Sequence, residues 1–100
     1  MVDLNAVSHW LNNRLTTSLV TEVWVFGSAL QANHEPKDVD VYVKYVDGNS
    51  KLIPNLKRDV QHGFAEHFSV PLHMLFLNHS ESDEAALFLR TALRDGLRVR

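Results

Sequence analysis

The sequence has no cysteine, only 4 glycines and 3 prolines, and no long apolar segment among its 100 residues. Without cysteine there is no disulfide framework, no zinc site built from thiolates and no cysteine nucleophile. No window approaches the roughly 20 apolar residues that span a bilayer, and the N-terminus lacks a basic stretch followed by an apolar run. These absences predict a cytoplasmic protein with no membrane segment.

An excess of positive charge is also lacking, because 10 Lys and Arg face 12 Asp and Glu, for a formal net charge of −2. Proteins that hold phosphate backbones without regard to sequence need a large positive field. Binding to duplex nucleic acid is therefore not expected. The 45% of hydrophobic residues is enough for a core, and the length predicts a single domain over residues 1–100.

Three amphipathic helices are predicted from apolar residues that recur every three or four positions. The first covers residues 4–19, and the second covers residues 53–68 with Pro54 tolerated in its first turn. The third follows the capping sequence at residues 80–83 and stops at Gly96. Its predicted apolar stripe consists of Ala85, Phe88, Leu89, Ala92 and Leu93.

Three strands are predicted between these helices. Residues 22–27 (Glu-Val-Trp-Val-Phe-Gly) lack polar alternation, which indicates a strand covered on both faces. Residues 70–77 are apolar except for His73 and predict another well-covered strand. Residues 38–46 alternate, which sorts their side chains onto two faces. One face carries Val39, Val41, Val43 and Tyr45, and the other carries Asp38, Asp40, Tyr42 and Lys44.

The order of elements is helix, strand, strand, helix, strand, helix, and a polar loop that contains Asn33, Glu35 and Pro36 separates the first two strands. This order predicts the α/β (α+β) fold class, with a small mixed β-sheet and helices packed mainly on one face. The open face of that sheet is expected to carry Asp38 and Asp40.

Asp38 and Asp40 are the first candidates for chemistry. Side chains two residues apart on a strand point to the same side, with Cα atoms roughly 6.5 to 7 Å apart. Their carboxylates can therefore converge on one hard cation or on a pair of them. A solvated strand edge is the alternative for this pair taken alone.

Gly27-Ser28 ends the first predicted strand and is the second candidate. Backbone N–H groups and the Ser28 hydroxyl at such a turn can hold a phosphate, and glycine lets the backbone come close to it. The alternative for these two residues alone is an ordinary strand-to-loop glycine.

Together the two candidates resemble a family signature. An apolar strand, Gly27-Ser28, nine intervening residues and Asp38-Val39-Asp40 at the head of a second strand are similar to the motif of the minimal nucleotidyltransferases in the DNA polymerase beta-like superfamily. The resemblance covers nearly the whole chain, including the final Asp95-Gly96-Leu97. It implies the nucleotidyltransferase fold.

The resemblance also implies roles for particular residues. Gly27 and Ser28 would hold the triphosphate of a nucleoside triphosphate, and Asp38 and Asp40 would hold Mg²⁺, with Mn²⁺ as the alternative metal. Metal ions held in this way bind phosphates, activate an attacking hydroxyl and neutralise the leaving pyrophosphate. Lys44, on the aspartate side of its strand, is a further candidate for nucleotide binding, and an ion pair with a neighbouring carboxylate is the alternative.

His73 is the departure from the family pattern. Active members bring a third carboxylate from the neighbouring strand, near the start of an apolar run like residues 72–77. Three roles for His73 are open: a neutral imidazole ligand that favours manganese or zinc, a general base at neutral pH, or a strand-edge histidine without chemistry. The alternative sources of the missing carboxylate are Glu66, Glu81 and Asp83, although Glu66 lies on a predicted helix and the other two fit a helix cap better.

Two functions follow from the resemblance, and the presence of His73 leaves the catalytic activity open. The first is transfer of AMP from ATP to a hydroxyl of a partner protein, with Asp38, Asp40 and His73 as the catalytic residues. The partner would be a HEPN-type toxin that this chain neutralises as an antitoxin. The chain itself would form a homodimer or a hetero-oligomer with its partner. The alternative is a binding module that has kept the fold, lost the reaction and acts by contact. A small nucleotide-sensing regulator is compatible with the same residues.

Overall fold

The computed structural model of the chain describes residues 3–30 and 37–100, and the polar loop with Asn33, Glu35 and Pro36 lies outside these residues. Two short 3-10 helices cover Gly27–Leu30 and Ser50–Leu52. Within the described residues, no helix is both long and apolar enough to cross a membrane. The longer elements are α1 (Leu4–Arg14), β1 (Val20–Phe26), β2 (Val39–Tyr45), α2 (Ile53–Phe68), β3 (Leu72–Asn78), α3 (His79–Glu84), α4 (Ala86–Ala92) and β4 (Leu97–Arg98).

The four strands form one mixed sheet in the order β3-β2-β1-β4. β1 pairs antiparallel with both β2 and β4, whereas β2 and β3 are parallel. The register places Asp40 of β2 between Phe26 of β1 and His73 of β3. This mixed sheet with helices confirms the predicted fold class.

The core lies between one face of the sheet and the two longer helices. The alternation predicted for β2 is confirmed, because Val39, Val41 and Val43 are completely buried. Side chains of β1 and β3 on the same face extend this layer, and α1 and α2 cover it. The buried residues contributed by the helices are Val7, Leu11, Leu15, Val60 and Phe64.

The other face of the sheet is partly covered by α3 and α4. Tyr42 is 2% exposed, and its hydroxyl lies 2.6 Å from the Ser82 hydroxyl of α3. Burial raises the pKa of Tyr42, so the phenol stays protonated at neutral pH. On the face that carries Asp40, α3 therefore covers the sheet at Tyr42. The same face is accessible at the end of β2 where Asp40 lies.

Removal of the Tyr42 hydroxyl is expected to weaken the docking of α3. Tyr42→Phe leaves the buried Ser82 hydroxyl without its partner, and such a loss costs about 1 to 2 kcal/mol. Urea unfolding of Tyr42→Phe, Ser82→Ala and the double variant measures the coupling between the two residues. Strictly additive effects would contradict the assignment of this hydrogen bond as a stabilising contact.

The first helix is shorter than predicted. It ends at Arg14, whereas the apolar spacing predicted a helix through residue 19. Thr17 and its polar neighbours favour a turn, because their hydroxyls compete for backbone groups. The Thr17 hydroxyl accepts a hydrogen bond from the backbone N–H of Leu19. Leu15, just after the helix, is nevertheless completely buried. The apolar spacing in the sequence therefore extends beyond the last helical residue.

The C-terminal part also differs from prediction. α3 begins one residue after its N-cap Asn78, which forms a capping box with Glu81. The helical segment is interrupted at Ala85, and Phe88, predicted on the buried stripe, is 56% exposed. Strand β4, which was not predicted, pairs with β1.

The strands β1 and β3 are less covered than expected. On β1, the side chains of Glu22, Trp24 and Phe26 are only half-buried. β3 lies at an edge of the sheet, and His73 on it is exposed. An apolar sequence therefore indicated these two strands correctly but overestimated how completely they are covered.

Candidate metal and nucleotide site

Asp38, Asp40 and His73 come together at the start of β2 and β3. Because β2 and β3 are parallel, with Asp40 opposite His73, the two side chains lie on the same face. Asp38 precedes β2 by one residue and shares that side. The His73 Nδ1 atom lies 3.6 Å from Asp38 Oδ2 and 3.6 Å from Asp40 Oδ1.

The three side chains fit a divalent cation. One ligand atom from each lies within 4.8 Å of the others. The His73 imidazole is 3.6 Å from each carboxylate, which is too far for a hydrogen bond. Two carboxylates suit a hard cation, and an imidazole suits Mn²⁺ or Zn²⁺ better than Mg²⁺. His73 is the most accessible of the three, with a side chain 61% exposed.

The two carboxylates repel each other. Burial, and then the neighbouring charge of Asp38, raises the pKa of Asp40, and His73 acts in the opposite direction. The folded chain therefore holds a proton on Asp40 more tightly than the unfolded chain does, and ionisation of Asp40 costs stability. A bound cation would neutralise this repulsion.

Gly27 makes room for the Asp40 carboxylate. A Cβ atom added at Gly27 would lie 2.5 Å from Asp40 Oδ2, and the backbone φ of Gly27 is +80°. Glycine is therefore required here both by the left-handed backbone and by the close approach of the carboxylate. The backbone of Ser28 follows in the 3-10 helix, which places the predicted Gly-Ser turn beside the aspartates.

Lys44 does not join this cluster. It is four residues beyond Asp40 on β2, a distance of roughly 13 Å along a strand, and its Nζ atom lies 3.4 Å from Glu22 Oε2. Burial alone would raise the pKa of Glu22, but hydrogen bonds with Trp24 and Lys44 hold that pKa below its usual value. The structure thus places Lys44 in the ion pair that was the alternative to phosphate binding.

A cavity of about 360 Å³ adjoins Lys44, between the sheet and the helices α3 and α4. The sequence interpretation did not identify it, because its lining depends on the register between β1 and β2. The available signal was that Glu22 and Trp24 stand two residues apart on β1 and therefore share one side of the sheet. The polar and aromatic residues of its lining include Glu22, Trp24, Tyr42, Lys44, Ser82 and Arg90.

The carboxylates considered as replacements for the third ligand lie elsewhere. Glu66 Oε1 is 3.1 Å from His62 Nε2 on α2, and Glu81 closes the capping box of α3. Neither residue is placed in the cluster with Asp38 and Asp40. Across residues 3–30 and 37–100, only the group of Asp38, Asp40 and His73 brings three ligand-bearing side chains close enough to hold a metal ion.

Comparison with solved structures identifies the fold. A mutant of the toxin-antitoxin MntA-HpeT matches 99% of this chain and 73% of its own, with a TM-score of 0.67 and 14% identity. A structure of the toxin-antitoxin with AMP-PNP has the same coverage, a TM-score of 0.66 and 17% identity. The chain has a nucleotidyltransferase-like fold.

The comparisons of sequence found no relative of this chain. No family model matches the chain, and no curated protein matches it either. At 14% and 17% identity, the structural likeness establishes the fold alone. Function has to be argued from the site.

Proposed function

We propose that this chain is a metal-dependent nucleotidyltransferase that transfers AMP from ATP to a hydroxyl of a partner protein. The observation that carries the proposal is the convergence of Asp38, Asp40 and His73 beside the Gly27-Ser28 turn. Nucleotidyl transfer requires mainly positioning and charge neutralisation rather than covalent chemistry from the protein. Two carboxylates and an imidazole can supply the charge neutralisation by holding a metal ion.

The metal site is proposed to consist of Asp38, Asp40 and His73, with Mg²⁺ or Mn²⁺ as the ion. When bound, the metal supplies the positive charge that neutralises the phosphates and the leaving pyrophosphate. Asp38 and Asp40 contribute negative charge and orient the site, and the repulsion between them favours occupation by a cation. Compared with three carboxylates, the imidazole shifts the preference of this donor set from Mg²⁺ toward Mn²⁺.

The triphosphate is proposed to lie against the Gly27-Ser28 turn. The turn follows β1 directly, and a Cβ atom added at Gly27 would meet the Asp40 carboxylate. Backbone N–H groups at the start of a helical turn orient phosphate oxygens. The nucleotide phosphates and the metal would then share one corner of the sheet.

The partner is proposed to be a HEPN-type toxin, with this chain as its antitoxin in the cytoplasm. Two findings support a partner. Both similar structures are toxin-antitoxins, and one of them is with AMP-PNP. The face that carries the cluster is also accessible at its aspartate end, where the His73 side chain is 61% exposed and a second protein can present a hydroxyl.

The competing function is a binding module that acts by contact alone. His73 at the position of the third carboxylate favours it, because an imidazole carries no negative charge to help bind Mg²⁺. The two functions differ in whether AMP is transferred, and that can be measured.

The transfer is tested with ATP labelled at the α-phosphate. The chain is incubated with the labelled ATP, Mn²⁺ and a cell lysate, and the proteins are separated on a denaturing gel. We expect a labelled protein with the parent chain and none with the variant in which Asp38 and Asp40 are both Asn. Label that is independent of the two aspartates, or no label with either chain, would support the contact-only module.

His73→Asp distinguishes the roles of His73. If His73 is a metal ligand, the variant restores three carboxylates, and we expect Mg²⁺-supported release of pyrophosphate to rise about tenfold or more. Loss of the reaction with both metals would instead assign His73 as the base. An unchanged rate with an unchanged preference between Mg²⁺ and Mn²⁺ would show that the imidazole has no part in the chemistry. His62→Asp, on α2 and away from the cluster, is the matched control.

A further inference from the structure

The outer edge of β3 exposes a short, regular set of backbone groups. The Val39 N–H donates to the Pro71 carbonyl at 3.0 Å, so the odd-numbered residues of this strand direct their backbone groups toward β2. The even-numbered residues direct theirs away from the sheet. Two contacts agree with this assignment: Gln61 Nε2 donates to the Leu72 carbonyl at 2.8 Å, and the Asn78 N–H donates to Glu81 Oε1 at 2.9 Å.

Side chains therefore occupy both ends of this edge and leave its middle open. Between Leu72 and Asn78, the outward N–H and C=O groups of Met74 and Phe76 have no partner among residues 3–30 and 37–100. Exposed strand edges are normally protected by charges, proline, bulges or a covering element. Residues 74–77, Met-Leu-Phe-Leu, contain no charge or proline, and the last three side chains are half-exposed.

This open edge is symmetric about Leu75. Met74 and Phe76 lie one residue to either side of Leu75, and the occupied ends, Leu72 and Asn78, lie three residues to either side. Two-fold symmetry is the commonest arrangement of identical chains and requires a self-complementary surface. A second copy of β3, reversed about Leu75, presents its own open groups of residues 76 and 74 opposite those of residues 74 and 76.

We propose that a second copy of this chain pairs antiparallel along β3, with the two-fold axis at Leu75. In that register Met74 faces Phe76 of the partner subunit, and Phe76 faces Met74 of the partner subunit. Each of these pairs exchanges both of its hydrogen bonds, so every open backbone group of residues 74 and 76 is satisfied. The two sheets become one continuous sheet of eight strands.

The pairing also completes the surroundings of the candidate site. His73 would face Leu77 of the partner subunit, on the same side of the sheet, with Cβ atoms roughly 5 Å apart. Each copy thereby places an apolar side chain beside the other copy's imidazole. Because the axis is perpendicular to the continuous sheet, both clusters of Asp38, Asp40 and His73 open on the same face.

Charge at the axis tests the pairing. At the axis the two Leu75 side chains are direct neighbours, so Leu75→Lys places two ammonium groups against each other, and Leu75→Glu places two carboxylates. We expect the parent chain to be a dimer by size-exclusion chromatography with light scattering, and each variant to dissociate at least about 100-fold more readily. An equimolar mixture of the two variants is expected to restore the dimer, which chains that fail to fold could not do.

Leu87→Lys is the matched control, since Leu87 is a 77% exposed apolar residue on α4. This variant is expected to remain dimeric. A parent chain that is monomeric at every concentration would overturn the proposal. Dimers of both Leu75 variants would also overturn it. A monomeric Leu87→Lys variant would overturn it as well, because the dimer contact would then lie on α4.

Discussion

Replacement of Asp38 and Asp40 by Asn is expected to abolish Mn²⁺ binding while making the metal-free protein more stable. The double variant keeps the shape of both side chains and removes both charges, so Mn²⁺ affinity is expected to fall at least roughly 100-fold. Burial and the charge of Asp38 raise the pKa of Asp40, which means that its ionised form destabilises the fold. An amide does not carry this penalty.

The pH dependence of this stability difference follows from the raised pKa of Asp40. The folded parent binds a proton on Asp40 more tightly than the unfolded chain does, so its stability falls as the pH rises through the raised pKa. The advantage of the double variant is therefore expected above that pKa and is lost at acid pH, where Asp40 is already neutral. Melting temperatures in EDTA across pH measure it.

An exposed aspartate supplies the control for both effects. Asp59→Asn removes one charge on α2 and is expected to leave Mn²⁺ affinity unchanged. A double variant that binds Mn²⁺ as the parent does would remove Asp38 and Asp40 from the metal site. A double variant with a lower melting temperature at neutral pH would contradict the argument from repulsion.

Gly27→Ala is expected to damage both the fold and the metal site. The new methyl group would stand 2.5 Å from Asp40 Oδ2, at a backbone φ of +80°. The left-handed backbone alone costs a non-glycine residue about 1 to 2 kcal/mol. The clash has to be relieved by moving Asp40, so Mn²⁺ affinity is expected to fall as well. Urea unfolding and Mn²⁺ titration measure the two losses separately.

Gly48→Ala separates the backbone penalty from the clash. Gly48 has a φ of +85°, and a Cβ atom there would meet nothing within 4 Å. This variant is expected to lose a similar backbone contribution to stability and to bind Mn²⁺ normally. Equal Mn²⁺ affinities of the Gly27 and Gly48 variants would show that the Asp40 position does not depend on Gly27.

The part of the candidate site that lies on a single strand could be predicted from the sequence. The alternation of residues 38–46 placed Asp38 and Asp40 on one side, and His73 was identified as the residue at the third ligand position. The structure brings these three together. The role of Gly27 in making room for Asp40 was missed, because it depends on the Phe26–Asp40 register between strands.

Lys44 shows why the rest could not be predicted. Its side of β2 follows from the alternation, but its partner does not, because the pairing of Lys44 with Glu22 is fixed by the register of β1 against β2. β4 consists of only two residues, which is too short for any periodic pattern. Phe88 fits a helical stripe in sequence, yet it is 56% exposed, whereas its neighbour Leu89 is buried.

Calorimetric titration of ATP into the parent chain tests the central claim most directly, which is that Asp38, Asp40 and His73 form a metal-dependent nucleotide site. The titration is made with Mg²⁺, with Mn²⁺ and with EDTA. We expect binding with either metal, tighter with Mn²⁺, and none with EDTA. Binding of equal affinity in EDTA, or no binding with either metal, would contradict the claim.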